Sequence, residues 1–122
     1  NITATGSTGA GGAVHVLGDR VGVTGTARID ASGATQGGTV LVGGDYQGAN
    51  PEVTNASRTL VGANADIRAD ARSDGNGGKV VVWADGDTRY AGSISARGAG
   101  SGDGGLVEVS GKQLLDFRGH VE

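Results

Sequence analysis

The chain has 122 residues, a net charge of −3, 26 glycines, one proline and no cysteine. This length allows one domain with a modest core, and the lack of cysteine excludes a disulfide framework and thiolate metal ligands. The ten lysines and arginines are spread along the sequence, which gives no support for a nucleic-acid partner.

A six-residue unit, GG-x-V-x-V, occurs four times along the chain. It begins at Gly11, Gly37, Gly77 and Gly104, with spacings of 26, 40 and 27 residues. The middle spacing equals one period plus 13 or 14 residues, so it contains an insertion, which we place at 46–59 around the single proline. Repeats of this length are typical of solenoids.

Apolar residues recur at every second position within each unit, which is the periodicity of a β-strand. Val14 and Val16 follow the first glycine pair, and Val80 and Val82 follow the third. Helical periodicity is missing, and glycine is too frequent for helix interiors. We therefore predict one all-β segment over 1–122, a right-handed parallel β-helix (solenoid) of about four to five coils. An antiparallel sandwich or barrel is the alternative, but it does not require one pattern at a fixed period.

A second alternating pattern precedes Ile29, Ile67, Ile94 and Val121. Counting back from these residues in steps of two aligns two further inward positions. The first holds Val23, Val61, Thr88 and Leu115, and the second holds Gly25, Ala63, Tyr90 and Phe117. The change from small to large side chains at the second position predicts that the interior of the coil widens toward the C-terminus to hold them.

The residues between the inward valines are predicted to face outward. Leu41 and Val81 share one outward position, and Leu17 and Trp83 share the next. We interpret these four side chains as an exposed candidate contact surface for a neighbouring rod, a flanking segment or a saccharide. The alternative is packing of the outer face from coil to coil.

A column of carboxylates occurs eight residues after the first glycine of three units, at Asp19, Asp45 and Asp85, with Lys112 in the fourth. Converging carboxylates can bind calcium or act as a catalytic pair. Aspartate is also a common turn residue that accepts backbone N–H bonds, and recurrence in successive coils favours this architectural interpretation. We therefore predict no catalytic, cofactor or metal site.

Two N-x-S/T sequons occur, at Asn1 and at Asn55. Asn55 lies in the insertion and is the candidate glycosylation site.

Three stretches resemble the shaft repeat of filamentous-haemagglutinin-type exoproteins. They are GTARIDASGATQGGTVLVGGDYQG (25–48), GGKVVVWADGDTRYAGSISARG (77–98) and GDGGLVEVSGKQLLDFRG (102–119). The resemblance implies a right-handed β-helix, two-partner secretion through an outer-membrane transporter, and a surface-bound or released adhesin. The N-terminal secretion domain of such proteins is not identifiable in the sequence, so we expect a shaft segment.

The sequence thus predicts a non-enzymatic structural and adhesive shaft of a secreted bacterial surface protein. Further β-helix coils or identical subunits are expected to stack on its ends and form fibres by end-to-end or lateral association. A host-surface or matrix carbohydrate or protein is the expected external partner. The alternative function is a β-helix carbohydrate-binding module or a fragment of a polysaccharide-active enzyme.

Overall fold

The computed structural model describes residues 2–49, 53 and 55–122. Within this part the chain forms thirteen short β-strands and one 3₁₀ helix, Tyr46–Gly48. The strands are β1 (Ile2–Thr3), β2 (Ala13–Val16), β3 (Arg20–Val23), β4 (Arg28–Asp30), β5 (Thr39–Val42), β6 (Arg58–Val61), β7 (Asp66–Arg68), β8 (Lys79–Ala84), β9 (Asp87–Tyr90), β10 (Ser93–Ser95), β11 (Leu106–Gly111), β12 (Leu114–Phe117) and β13 (His120–Val121). No helix among the described residues has the length and apolar character that a membrane crossing requires.

The strands form three sheets in which every pairing is parallel. Sheet A contains β1, β4, β7, β10 and β13; sheet B contains β2, β5, β8 and β11; sheet C contains β3, β6, β9 and β12. The chain visits the three sheets in the same order in every turn, and each strand pairs with the strand one turn away. This topology confirms the parallel β-helix. Four coils are present, and β13 begins a fifth.

Ladders of branched aliphatic side chains fill the interior. Sheet B stacks Val14, Val40, Val80 and Val107 in one row and Val16, Val42, Val82 and Val109 in the next. Sheet A stacks Ile2, Ile29, Ile67, Ile94 and Val121. In the middle coils Val40, Val42, Val80 and Val82 are fully buried. These rows confirm the inward and outward faces predicted from the alternation.

The predicted alignment of sheet C is wrong by two residues between the second and third coils. Val61 pairs with Tyr90 rather than with Thr88, so the rows are Val21, Thr59, Thr88, Leu115 and Val23, Val61, Tyr90, Phe117. The cause is a turn of different length: residues 62–65 connect β6 to β7, whereas only residues 91–92 connect β9 to β10. A two-residue shift preserves the face of every side chain, so alternation alone does not detect it.

The connection between β5 and β6 spans residues 43–57, whereas the corresponding connections of the third and fourth coils are 85–86 and 112–113. Arg58 and Thr59, at the end of the predicted insertion, belong to β6. Residues 50–52 and 54 of that insertion, including Pro51, lie outside the described residues. The long connection therefore leaves the coil at the corner between sheets B and C.

Candidate functional site

The outward strip on sheet B is not exposed as predicted. Leu41 is 3% exposed, Val81 0% and Trp83 9%, and the three form a separate apolar cluster against which Val53 packs. The described residues of the 43–57 connection, hereafter the covering segment, lie over this cluster, which corrects the expectation of an open contact surface at these positions. Of the four predicted residues, Leu17 is solvent-exposed at 37%, and its role in contacts stays a prediction.

The covering segment is fixed by its own polar contacts. The Asp45 carboxylate accepts a hydrogen bond from the Tyr46 amide at 2.7 Å and thereby caps the 3₁₀ helix. The same Asp45 Oδ1 lies 2.6 Å from Lys79 Nζ in β8. This ion pair connects the covering segment to sheet B.

Main chain lies directly against the Trp83 ring. A Cβ atom at Gly44 would lie 2.8 Å from Cδ1 of the ring, and one at Gly48 would lie 2.6 Å from Cε2. Both glycines have positive φ, 156° at Gly44 and 63° at Gly48. The indole Nε1 donates to Asp85 Oδ1 at 2.9 Å. The ring is therefore buried with its only polar group satisfied.

Asn55 lies at the end of the covering segment. Its Nδ2, the atom that a glycan would join, donates to the Gly48 carbonyl at 3.0 Å. Its Oδ1 is buried and has no hydrogen-bond partner among the described residues. Glycosylation of Asn55 stays a prediction, and Asn1 of the other sequon lies outside the described residues.

The three corner aspartates each bind a different partner. Asp19 accepts from Ser57 Oγ at 2.9 Å, Asp45 caps Tyr46, and Asp85 accepts from the Trp83 indole. In the part of the chain that the structure describes, no three His, Asp or Glu side chains converge as metal ligands. The geometry thus supports the architectural interpretation of the column.

The outer face of sheet A has a shallow depression of about 280 Å³ whose charges neutralise one another. Arg68 pairs with Asp66 at 2.7 Å, and Arg97 pairs with Glu122. Asp70 accepts hydrogen bonds from Ser95 Oγ and from the Arg97 amide. These pairs leave little unneutralised charge for a ligand.

Asp30, on the same sheet, is held in its ionised form. Partial burial works to raise the pKa of Asp30, but hydrogen bonding to Ser32 and the positive charges of Arg72 and Arg28 outweigh it. The net effect is a pKa below the ordinary value of an aspartate. The Ser32 amide donates to Oδ1 at 3.0 Å, and Arg72 Nη2 donates to Oδ2 at 3.1 Å.

Sheet C carries arginines without an ion pair, although Asp87 is the register partner of Arg58 and Asp116 is that of Arg89. Six of the ten lysines and arginines lie within 4.0 Å of a carboxylate, namely Arg28, Arg68, Arg72, Lys79, Arg97 and Arg118. The other four have no ion pair with any described residue. Arg20, Arg58 and Arg89 lie in β3, β6 and β9, and Lys112 lies in the corner that enters β12. The sequence alone does not reveal this group, because only the coil register brings its members onto one face.

The C-terminal coil exposes side chains that are buried in the coil before it. Leu115 is 42% exposed, Phe117 40% and Val121 42%, whereas their ladder neighbours Thr88, Tyr90 and Ile94 are at most 1% exposed. Phe117 stacks on Tyr90 with a centroid distance of 5.5 Å. Phe117 thus continues the inward row of Val23, Val61 and Tyr90.

This chain is similar in fold and in sequence to the HMW1 secretion domain from Haemophilus influenzae. The crystal structure of that domain aligns with a TM-score of 0.74 and 30% sequence identity. The match covers 92% of this chain but 32% of that one, so the chain spans about a third of the domain it resembles. No protein-family profile and no curated protein sequence matches. The chain is thus similar in fold to part of a bacterial secretion domain.

Proposed function

We propose that this chain is a non-enzymatic segment of a secreted β-helical shaft with a structural and adhesive role. The observation that carries the proposal is the parallel β-helix of three sheets. It aligns with a bacterial secretion domain at a TM-score of 0.74 and 30% sequence identity.

Export is proposed from the likeness to a secretion domain. The two-partner route, with an outer-membrane transporter as the first partner, is proposed from the resemblance of the repeats to filamentous-haemagglutinin-type shafts. A location outside the cell, on the bacterial surface or released from it, follows from that route. The separate hydrogen-bond partners of Asp19, Asp45 and Asp85 support a role without catalysis.

Assembly is proposed to occur by stacking of identical subunits or further coils on the ends of this chain. Continuing the present register places Val107 and Val109 against Val14 and Val16 of the added subunit, because these residues share the same rows in sheet B. On sheet C it places Phe117 against Val23. Burial of these apolar surfaces favours stacking by about 25 cal/mol for each Å² removed from water.

Size-exclusion chromatography with light scattering and electron microscopy of the purified chain tests this assembly. We expect linear particles that lengthen with protein concentration. Phe117→Glu should abolish them, because it places a charge on the surface that stacking buries. Leu60→Glu is the matched control, since Leu60 is 45% exposed but lies on the outer face of sheet C. Compact monomers at every concentration, or equal effects of the two substitutions, would overturn the proposal.

A further inference from the structure

The chain has five asparagines, and only Asn76 is followed by glycine, Gly77. In an asparagine, the side-chain carbonyl carbon can be attacked by the backbone nitrogen of the next residue. A following glycine lets the two atoms approach closely, because it has no Cβ. Asn76 is also exposed, so water reaches it. Asn76 is therefore the asparagine most prone to spontaneous deamidation.

The reaction exchanges the side-chain amide of Asn76 for a carboxylate in two steps. First, the Gly77 nitrogen bonds to Cγ of Asn76, the bond from Cγ to Nδ2 breaks, and the proton of the Gly77 amide leaves with Nδ2 as part of ammonia. The product is a cyclic imide. Second, water adds to one of the two imide carbonyls and opens the ring, which gives aspartate or isoaspartate. Water is the only other reactant, and no electron is transferred.

In the folded chain, the main chain of Asp103 binds both reacting groups. The Asp103 amide donates to Oδ1 of Asn76 at 2.8 Å, and the Gly77 amide donates to the Asp103 carbonyl at 2.9 Å. Attack consumes the Gly77 N–H and converts the side-chain carbonyl carbon of Asn76 from planar to tetrahedral, so it disrupts both hydrogen bonds. The fourth coil therefore protects Asn76.

Asp103 belongs to the 96–105 connection between β10 and β11, which lies on the 69–78 connection of the third coil. Gly75 and Ala99 exchange two backbone hydrogen bonds, of 2.9 and 3.0 Å. The Asp74 carboxylate accepts a hydrogen bond from the Ser101 amide at 3.1 Å. The two connections thus contact each other through hydrogen bonds, and local separation of such segments requires less free energy than global unfolding.

We propose that Asn76 is a deamidation site controlled by the 96–105 connection. The side-chain amide is protected while Asp103 is bonded to it, and it reacts when the 96–105 connection separates from the third coil. Loss of ammonia makes the change irreversible. Isoaspartate lengthens the main chain by one carbon at residue 76, whose carbonyl accepts from the Gly37 amide at 3.0 Å, so it disrupts contacts with both neighbouring coils. The modification is independent of export, stacking and adhesion.

Peptide mapping by mass spectrometry tests the proposal on the purified chain, incubated at mildly alkaline pH in buffer or in urea that unfolds it. In urea, Asn76 should convert before Asn55 and Asn64, because alanine follows each of those residues. In the folded chain, conversion of Asn76 should be at least about tenfold slower than in urea, because it is limited to the fraction of molecules in which the connection is open.

The two glycines that flank Asp103 provide a matched pair of variants. A methyl group at Gly102 would overlap the Gly75 carbonyl oxygen, whereas the nearest heavy atom to one at Gly104 is 3.9 Å away. Gly102→Ala should accelerate deamidation of Asn76 in the folded chain at least about fivefold, because the overlap favours separation of the two connections. Gly104→Ala should change the rate less than about twofold.

Hydrogen exchange measures the opening itself. The Gly77 amide should exchange faster in Gly102→Ala, whereas the Gly43 amide, which donates to the Val16 carbonyl at another corner, should not change. Circular dichroism establishes that both variants are folded; if Gly102→Ala is not, the comparison of buffer with urea decides. Equal rates in buffer and urea, faster conversion of Asn55 or Asn64 in urea, or equal acceleration by the two variants would refute the proposal.

Discussion

Sheets B and C enclose the same interior but differ on their outer faces. In the third coil every residue of β8 from Val80 to Ala84 is buried, whereas in β9 burial alternates and Arg89 is exposed. The difference comes from the described residues of the 43–57 connection, which cover Leu41, Val81 and Trp83 on β5 and β8 and leave sheet C open. One repeat can therefore produce a covered apolar face and an open charged face, depending on a single insertion.

The comparison is tested most strongly by placing a carboxylate at matched outward positions of the two sheets. Val81 is fully buried beneath the covering segment, and Leu60 is 45% exposed. Val81→Asp should lower the free energy of unfolding by about 4 kcal/mol or prevent folding, because it buries a charge without a partner. Leu60→Asp should change it by less than about 0.5 kcal/mol.

Urea unfolding followed by circular dichroism measures both variants. Similar midpoints for Val81→Asp and Leu60→Asp would show that the covering segment does not exclude water from sheet B in solution.

Removal of the tryptophan tests how the covering segment is held. Trp83→Ala should cost about 3 kcal/mol, because it leaves a cavity between sheet B and the segment. Exchange of the Gly48 and Ala49 amides, which donate to the Asp45 and Tyr46 carbonyls, should accelerate with it.

Tyr46→Ala is the control, since Tyr46 belongs to the same segment but is 44% exposed. It should leave both the stability and the exchange rates nearly unchanged. Unchanged exchange at Gly48 in Trp83→Ala would contradict a cover that depends on the ring.

The side chains that face the interior were predictable from the sequence, because strand alternation depends only on neighbouring residues. The pairing of Val14 with Val40 and of Val40 with Val80 follows from the glycine pairs alone. The register of sheet C did not follow, because it depends on the length of the turn before each isoleucine. A turn shorter by two residues moved Tyr90 opposite Val61 and kept its inward orientation.

The contacts of the outward-facing side chains were harder to predict, because they are made between coils and with the insertion. Alternation correctly placed Trp83 on the outer face, but nothing in residues 77–86 shows that residues 44 and 48 lie against its ring. The alignment of Arg20 with Arg58 has the same origin, since the insertion separates them by 38 positions in sequence. The predicted alignment of Val23 with Val61 already implied the first of these pairings, that of Arg20 with Arg58, whereas the cover over Trp83 depends on the path of the insertion.

A smaller effect is expected from adding one methyl group at two glycines with the same backbone conformation. Gly48 has φ 63° and Gly25 has φ 65°. Gly25→Ala meets open space and should cost about 1 kcal/mol for the left-handed backbone alone. Gly48→Ala should cost at least about 1 kcal/mol more, because its Cβ would collide with the Trp83 ring.

Chemical unfolding measures the free energy that each variant loses. The difference between the two losses gives the cost of the collision with the Trp83 ring, because both variants share the cost of the left-handed backbone. Equal losses at Gly25 and Gly48 would mean that the covering segment shifts away from Trp83 at little cost.

The smallest effect concerns the ion pair that joins the covering segment to sheet B. Lys79 and Asp45 are partly exposed, with side-chain exposures of 34% and 13%, so Lys79→Ala should cost about 0.5–1 kcal/mol and less at high salt. Arg58→Ala on the open face should change the free energy of unfolding by less than about 0.5 kcal/mol, because Arg58 lies between Arg20 and Asp87, whose charges act on it in opposite directions. Unfolding midpoints at low and high salt therefore distinguish the two faces by the size of the salt effect. A loss of stability in Arg58→Ala that equals the loss in Lys79→Ala and is reduced by salt would show that Arg58 has an anionic partner within the chain.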